Sequence, residues 1–146
     1  MSLFSALSVS ASGMEAQRTR AELLTENLAN SETTRTPDGG PYRRKDAVFS
    51  SQGVGSPFQS IFASELSGGG APGVAVSDIT VDDSAPDMRY QPGHPDANAD
   101  GYVAFPKIHP AEDMVDLMGA SRSYQANIAA ISSVKDMIQK SIDLLR

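Results

Sequence analysis

Apolar positions along the chain fall into two long stretches of helical spacing, separated by a middle that lacks such a period. From Ser2 to about Asn30 the only Gly or Pro is Gly13, and Leu3, Leu7, Met14, Ala21, Leu24 and Leu28 recur at helical steps, which predicts one long amphipathic helix. Two interleaved series, Leu7, Met14, Ala21, Leu28 and Leu3, Ser10, Gln17, Leu24, form a heptad seam whose second row is interrupted by Ser10 and Gln17. Towards the other end, Pro110 suits a first helical turn and Glu112 and Asp113 complement its positive dipole end. Only Gly119 then interrupts the run to Arg146. Met114, Leu117, Ser121, Tyr124, Ile128, Ile131, Lys135, Ile138, Ile142 and Leu145 alternate there by three and four without a skip, the pattern of a coiled-coil seam.

The predicted contacts of helix with helix, or of subunit with subunit, are therefore Leu7, Met14, Ala21, Leu24 and Leu28 in the first helix. Their counterparts in the second are Leu117, Tyr124, Ile128, Ile131, Ile138 and Ile142. Val115, Met118, Ala126, Ala129, Ala130 and Met137 form a further apolar face beside the second seam. A helix with two such faces belongs inside an assembly. A two-helix hairpin of this length buries too little surface to be stable alone, so partners must come from other chains.

Residues 31–110 change character. Thr33, Thr34, Thr36, Pro37, Asp38, Gly39, Gly40 and Pro41 form a turn cluster, and Ser67 to Gly73 has the composition of a flexible linker. Tyr42–Ser50, Gly73–Asp82, Met88–Gln91 and Tyr102–Phe105 carry β-branched or aromatic residues between turn residues and predict short antiparallel strands. Phe58–Leu66 fits strand or helix. The expected fold is mainly α with a β insert: helices over 1–30 and 111–146, paired as a coiled coil, and a small irregular β-rich and loop region over 31–110.

Composition narrows the chemistry. The chain has 146 residues with 12 Gly, 9 Pro and no Cys, and a formal charge of -6. An acidic chain has a poor grip on phosphate backbones, so no nucleic-acid partner is expected. Without Cys there are no disulfides, thiolate metal sites or cysteine nucleophiles. No stretch approaches the roughly 18 apolar residues that span a bilayer, and no Lys or Arg precedes Arg18, so neither a membrane span nor a secretory signal is predicted.

Candidate sites thin out on inspection. Asp96, Asn98, Asp100 and Gly101 match the first half of a calcium-binding EF-hand loop, yet Lys107 stands where the bidentate carboxylate belongs. No entering helix can form over Gln91-Pro92-Gly93-His94-Pro95, so a plain turn into the Tyr102 strand is the stronger reading. His94 and His109, each before a Pro, are the only histidines, and no motif joins them to other ligands. No Gly-x-Ser-x-Gly elbow is present, and the glycines at 68–70 precede no Gly-Lys-Ser/Thr. No catalytic residue, cofactor or metal site is predicted. The basic run Arg43, Arg44 and Lys45 reads either as a solvated strand edge or as charge complementarity between subunits. The acidic middle, Asp78, Asp82, Asp83, Asp87, Asp96 and Asp100, could also pair with it within the chain.

Ser12-Gly13-Met14-Glu15-Ala16-Gln17-Arg18 and Asn27-Leu28-Ala29-Asn30 resemble the N-terminal signature of the bacterial flagellar rod and hook axial proteins. Thr33 to Lys45, which includes Gly39, Gly40, Pro41, Tyr42, Arg43 and Arg44, together with Pro92 to Val103 and Ala120 to Asn127, looks like the proximal-rod branch of that family. Residues 50–90 match no family pattern. The resemblance implies a non-catalytic structural subunit of the basal-body rod that transmits torque across the periplasm and contributes to the axial export channel. It implies terminal helices paired around that channel and a β-rich portion outside. Its partners would be other rod proteins and copies of itself in a helical tube, reached through the flagellar type III export apparatus without signal cleavage. Two alternatives from other classes are a soluble coiled-coil adaptor or dimerisation module with a protein-binding insert, and a small calcium-binding module.

Overall fold

The computed structural model describes residues 3–37, 39–52 and 73–144. In chain order these form helix α1 (Leu3–Ala29), strands β1 (Lys45–Gln52), β2 (Gly73–Val81), β3 (Asp87–Tyr90) and β4 (Tyr102–Phe105), and helix α2 (Pro110–Asp143). The two helices and four strands fall where the sequence periods place them. The first strand starts at Lys45 rather than Tyr42, because the Tyr42 N–H donates to the Thr33 carbonyl and stays in the preceding loop. Phe58–Leu66 and most of the Gly-rich stretch lie outside the described residues; Gly73 opens β2.

Helix α1 ends where side chains double its last backbone bonds. The Glu26 carbonyl accepts from the Asn30 N–H at 3.1 Å and from Asn30 Nδ2 at 2.9 Å, and the Leu28 carbonyl accepts from the Ser31 N–H at 3.3 Å and from Ser31 Oγ at 2.8 Å. Helix α2 opens with Pro110, whose missing N–H is no loss in a first turn.

The strands make two separate antiparallel pairs. β1 and β2 run from Lys45 opposite Val81 to Gln52 opposite Gly73, with a bulge between Val48 and Phe49. β3 and β4 pair Asp87 with Phe105 and Tyr90 with Tyr102. Period-two alternation sends Val103 and Phe105 inward and leaves Tyr102 on the outer face. Gly101, at φ +80, makes this ribbon possible: a Cβ there would stand 2.9 Å from the Tyr90 ring.

The two helices pack against each other, and α1 also packs on β1 and β2. They run antiparallel, because Gly13 meets Asn127 while Gln17 and Ala21 share a groove with Leu117, Ala120 and Tyr124. Buried apolar side chains come from α1 (Ala16, Leu23, Leu24), from Tyr42, from β4 and the link into α2 (Val103, Phe105, Ile108), and from α2 (Ala120, Val134).

Candidate functional site

The surface between the helices follows close approach rather than side-chain size. Among the described residues of α2, only Asp113, Ala120 and Val134 are buried, and Asn127 lies between the last two at the same seven-residue step. A Cβ on Gly13 would come within 3.1 Å of Asn127 Nδ2. This row sits one position before the expected Met114, Ser121, Ile128, Lys135 row. Leu117, Ile131 and Ile138 are half-buried beside it. Tyr124, Ile128 and Ile142 are 38%, 44% and 60% exposed in the single chain. In α1, Leu24 is buried and Leu7, Met14, Ala21 and Leu28 are half-buried. Its fully covered residues include Ala16, Leu23 and Asn27, since α1 serves two neighbours, α2 and the β1–β2 pair. Small side chains bring helix axes close, so Gly13 and Ala120 mark the contact that a search for large apolar residues passes over.

Gln17 lines the groove between the helices, about 530 Å³ in volume, and its Oε1 is buried without a hydrogen-bond partner among the described residues.

The residues that carried the family resemblance are structural joints. Ser12 Oγ donates to the Val9 carbonyl and accepts from the Val74 N–H at 3.1 Å, tying α1 to the start of β2. Asn27 is fully buried. Its Nδ2 donates to the Lys45 carbonyl at 2.8 Å, and its Oδ1 accepts from the Lys45 N–H at 3.0 Å and the Tyr42 hydroxyl at 3.1 Å. The Arg44 carbonyl accepts from Asp82 across the strand pair, so by alternation the polar groups of Lys45 point away from β2. The Asn27 amide thus takes the place of a further strand. Burial and the nearby Glu26 carboxylate push the Tyr42 hydroxyl up to about 12. Gly39 and Gly40 both hold positive φ, and Thr36 N–H donates to the Gly40 carbonyl, which turns Pro41 and Tyr42 back towards α1.

Each cation of the basic run is engaged within the chain. Arg43 pairs with Asp83 after β2, and Lys45 with Glu26 on α1. Arg44, 19% exposed, lies 3.2 Å from Asp46 and 3.1 Å from Asp113, whose side chain is fully buried at the start of α2. Three successive residues therefore grip three different elements. Neither Asp113 carboxylate oxygen accepts a hydrogen bond among the described residues. Burial raises the Asp113 pKa above its ordinary value, Arg44 opposes that shift, and Asp46, Asp116 and Glu112 reinforce it.

The oxygens of the EF-hand-like segment are engaged by the turn itself and by Thr34 in the loop after α1. Asn98 Oδ1 accepts from the Asp100 and Tyr102 N–H groups at 3.0 and 2.9 Å, and Asp96 Oδ2 accepts from Thr34 Oγ1 at 2.8 Å. The segment therefore forms an Asx-type turn, as its residues predict. No group of three or more potential metal ligands occurs among the described residues, and none of the helices described is long and apolar enough to cross a membrane.

Sequence comparison supplies the context for these joints. Residues 99–144 match the family described as the flagellar basal body rod FlgEFG protein C-terminal. Over almost its whole length the chain is similar to proteins named flagellar basal-body rod protein FlgC. Identity is 45% with that of Bacillus subtilis, covering 99% of each chain. It is 39% with that of Borreliella burgdorferi, covering 100% of this chain and 99% of the relative, and 37% with one from Escherichia coli, covering 99% and 98%.

Proposed function

We propose, given that the chain belongs to the FlgC family of flagellar basal-body rod proteins, that α1 and α2 act as the axial coiled coil of a rod subunit and the β insert as its outer portion. The role itself is that of a structural subunit of the rod in flagellar motility. In this reading the chain adds to copies of itself and to other rod proteins in a helical tube around the export channel, and transmits torque across the periplasm. It travels unfolded through the flagellar type III apparatus without signal cleavage. It catalyses no reaction and needs no cofactor. Residues 1–30 and 111–146 form the helical core domain and 31–110 the insert.

The observation that carries the reading is the uncovered apolar surface of α2. Met114, Met118, Ile128, Met137 and Ile142 are all between 44% and 60% exposed in the single chain. Patches of this kind mark association surfaces. A subunit that adds through unlike faces builds an open helix rather than a closed dimer. Leu117, Tyr124, Ile128, Ile131, Ile138 and Ile142 then divide between the partner helix and the neighbouring subunits.

Immunoelectron microscopy and fractionation of basal bodies test this directly. The chain is expected in the rod, and as a monomer in dilute solution before it is templated. Absence from basal bodies together with a fixed dimer mass in solution would favour the adaptor reading instead.

A further inference from the structure

Asp113 has a local explanation, as an acid in the first turn of a helix, and a tertiary one that this explanation hides. Its side chain is fully buried, neither of its oxygens accepts a hydrogen bond among the described residues, and its cation, Arg44, is shared with the half-exposed Asp46. The charged groups around it are Arg44 from the segment before β1, Asp46 in β1, and Glu112 and Asp116 on α2 itself. Three carboxylates and one shared cation leave an ionised Asp113 poorly compensated. A buried carboxylate in that position either bears the desolvation penalty or takes up a proton.

We propose that Asp113 is a proton-linked latch between the start of α2 and the segment entering β1. Folding of this joint takes up a proton that the unfolded chain leaves in solution. When Asp113 is ionised, Arg44 is divided between two carboxylates. When it is protonated, Arg44 turns wholly to Asp46, and the neutral acid stays buried at less cost. The raised pKa of Asp113 fixes the sign. This contribution to stability is fully present below the ordinary aspartate pKa and is lost as pH rises through the higher folded value. Docking of α2 onto the insert is therefore tightened by mild acid. The inference goes beyond the rod reading and does not depend on where the chain assembles.

The test is a carboxyl-carbon NMR titration of the full chain, with the Asp113 signal assigned by its loss in Asp113→Asn. Amide protection over residues 111–117 is followed in parallel. Asp113 is expected to titrate above the ordinary carboxylate range, and Arg44→Gln to move its midpoint higher still. Protection at the start of α2 should rise by up to about tenfold per pH unit as pH falls between the unfolded and folded midpoints, and Asp113→Asn should lose that dependence. A wild-type midpoint at or below the ordinary range overturns the latch, and so does an Arg44→Gln chain with an unchanged midpoint. If either variant fails to fold, the wild-type titration alone decides, with the Asp113 carboxyl signal assigned through its bonds to the Asp113 backbone amide. Presence in or absence from basal bodies bears on the rod reading and leaves this result untouched.

Discussion

The two ends of the helical framework are built differently. At the end beside the insert, Leu23, Leu24 and Asn27 of α1, Tyr42, Val103, Phe105 and Ile108 are all buried, and Asp113 closes the start of α2. At the other end, Leu3, Phe4, Met137, Ile142 and Leu144 are 42% to 88% exposed, and Val134 is the only buried residue described in the second half of α2. At the first end the side chains between α1, the loop before β1 and β4 are covered within one chain, while Met114, Val115 and Met118 of α2 stay exposed and neither Asp113 oxygen accepts a hydrogen bond among the described residues. The second presents the same residue types with nothing over them. A single sequence thus carries one region with a buried core of its own and one without, and in the proposed rod assembly neighbouring subunits cover the second.

This contrast can be broken by substitution. Phe105→Ala removes a buried ring from the insert end and should destabilise the chain by about 3–5 kcal/mol; a loss below about 1 kcal/mol in chemical unfolding would show that the end is not a core. Asn27→Ala orphans both backbone groups of Lys45 and the Tyr42 hydroxyl, and about 2–3 kcal/mol should be lost. That loss should appear together with faster amide exchange at Lys45.

Ile131→Ala with Ile138→Ala, both half-buried, should remove about 1–3 kcal/mol from the chain. The same pair should abolish rod assembly and motility while synthesis and export continue. Normal rods in this double variant would refute the assembly role given to α2. Lys140→Ala, at an exposed position of the uncovered end, should stay within about 0.5 kcal/mol and leave rods intact.

A smaller effect follows from Tyr42. Its hydroxyl is shifted upwards from 10.0 to about 12, so the stability it contributes is present below pH 10 and is lost as pH rises through about 12. Tyr42→Phe should flatten that alkaline limb.

Much of this architecture is legible in the sequence because it rests on periodicity. The long helices and short strands follow from apolar spacing and from turn residues. The row of α2 that faces α1 is less visible. Pattern reading selects Met114, Ile128 and Ile142, whereas the helices meet through Gly13, Ala120 and Asn127, where little side chain keeps the axes apart. Hydrophobicity reports what must be covered by something; it does not say whether the cover is the same chain or another. Asp113 was explicable locally by the helix dipole, so nothing in the sequence pointed to Arg44, which is far from it along the chain. The basic run left several partners open, and only the folded chain distributes Arg43, Arg44 and Lys45 among three elements.

The antiparallel course of α1 and α2 has a practical consequence for labelling. Gly13 lies opposite Asn127, so at about 1.5 Å per residue Leu3 comes level with the last turns of α2. A tag or fluorescent fusion at either terminus therefore crowds the uncovered end, where neighbouring subunits are proposed to dock. The exposed turn at Ser84 and Ala85, between β2 and β3, is the better insertion point for an epitope. It sits on the insert, where Ala85 lines a pocket with Ile108 and His109 at the start of α2, at the end of the framework opposite the uncovered one.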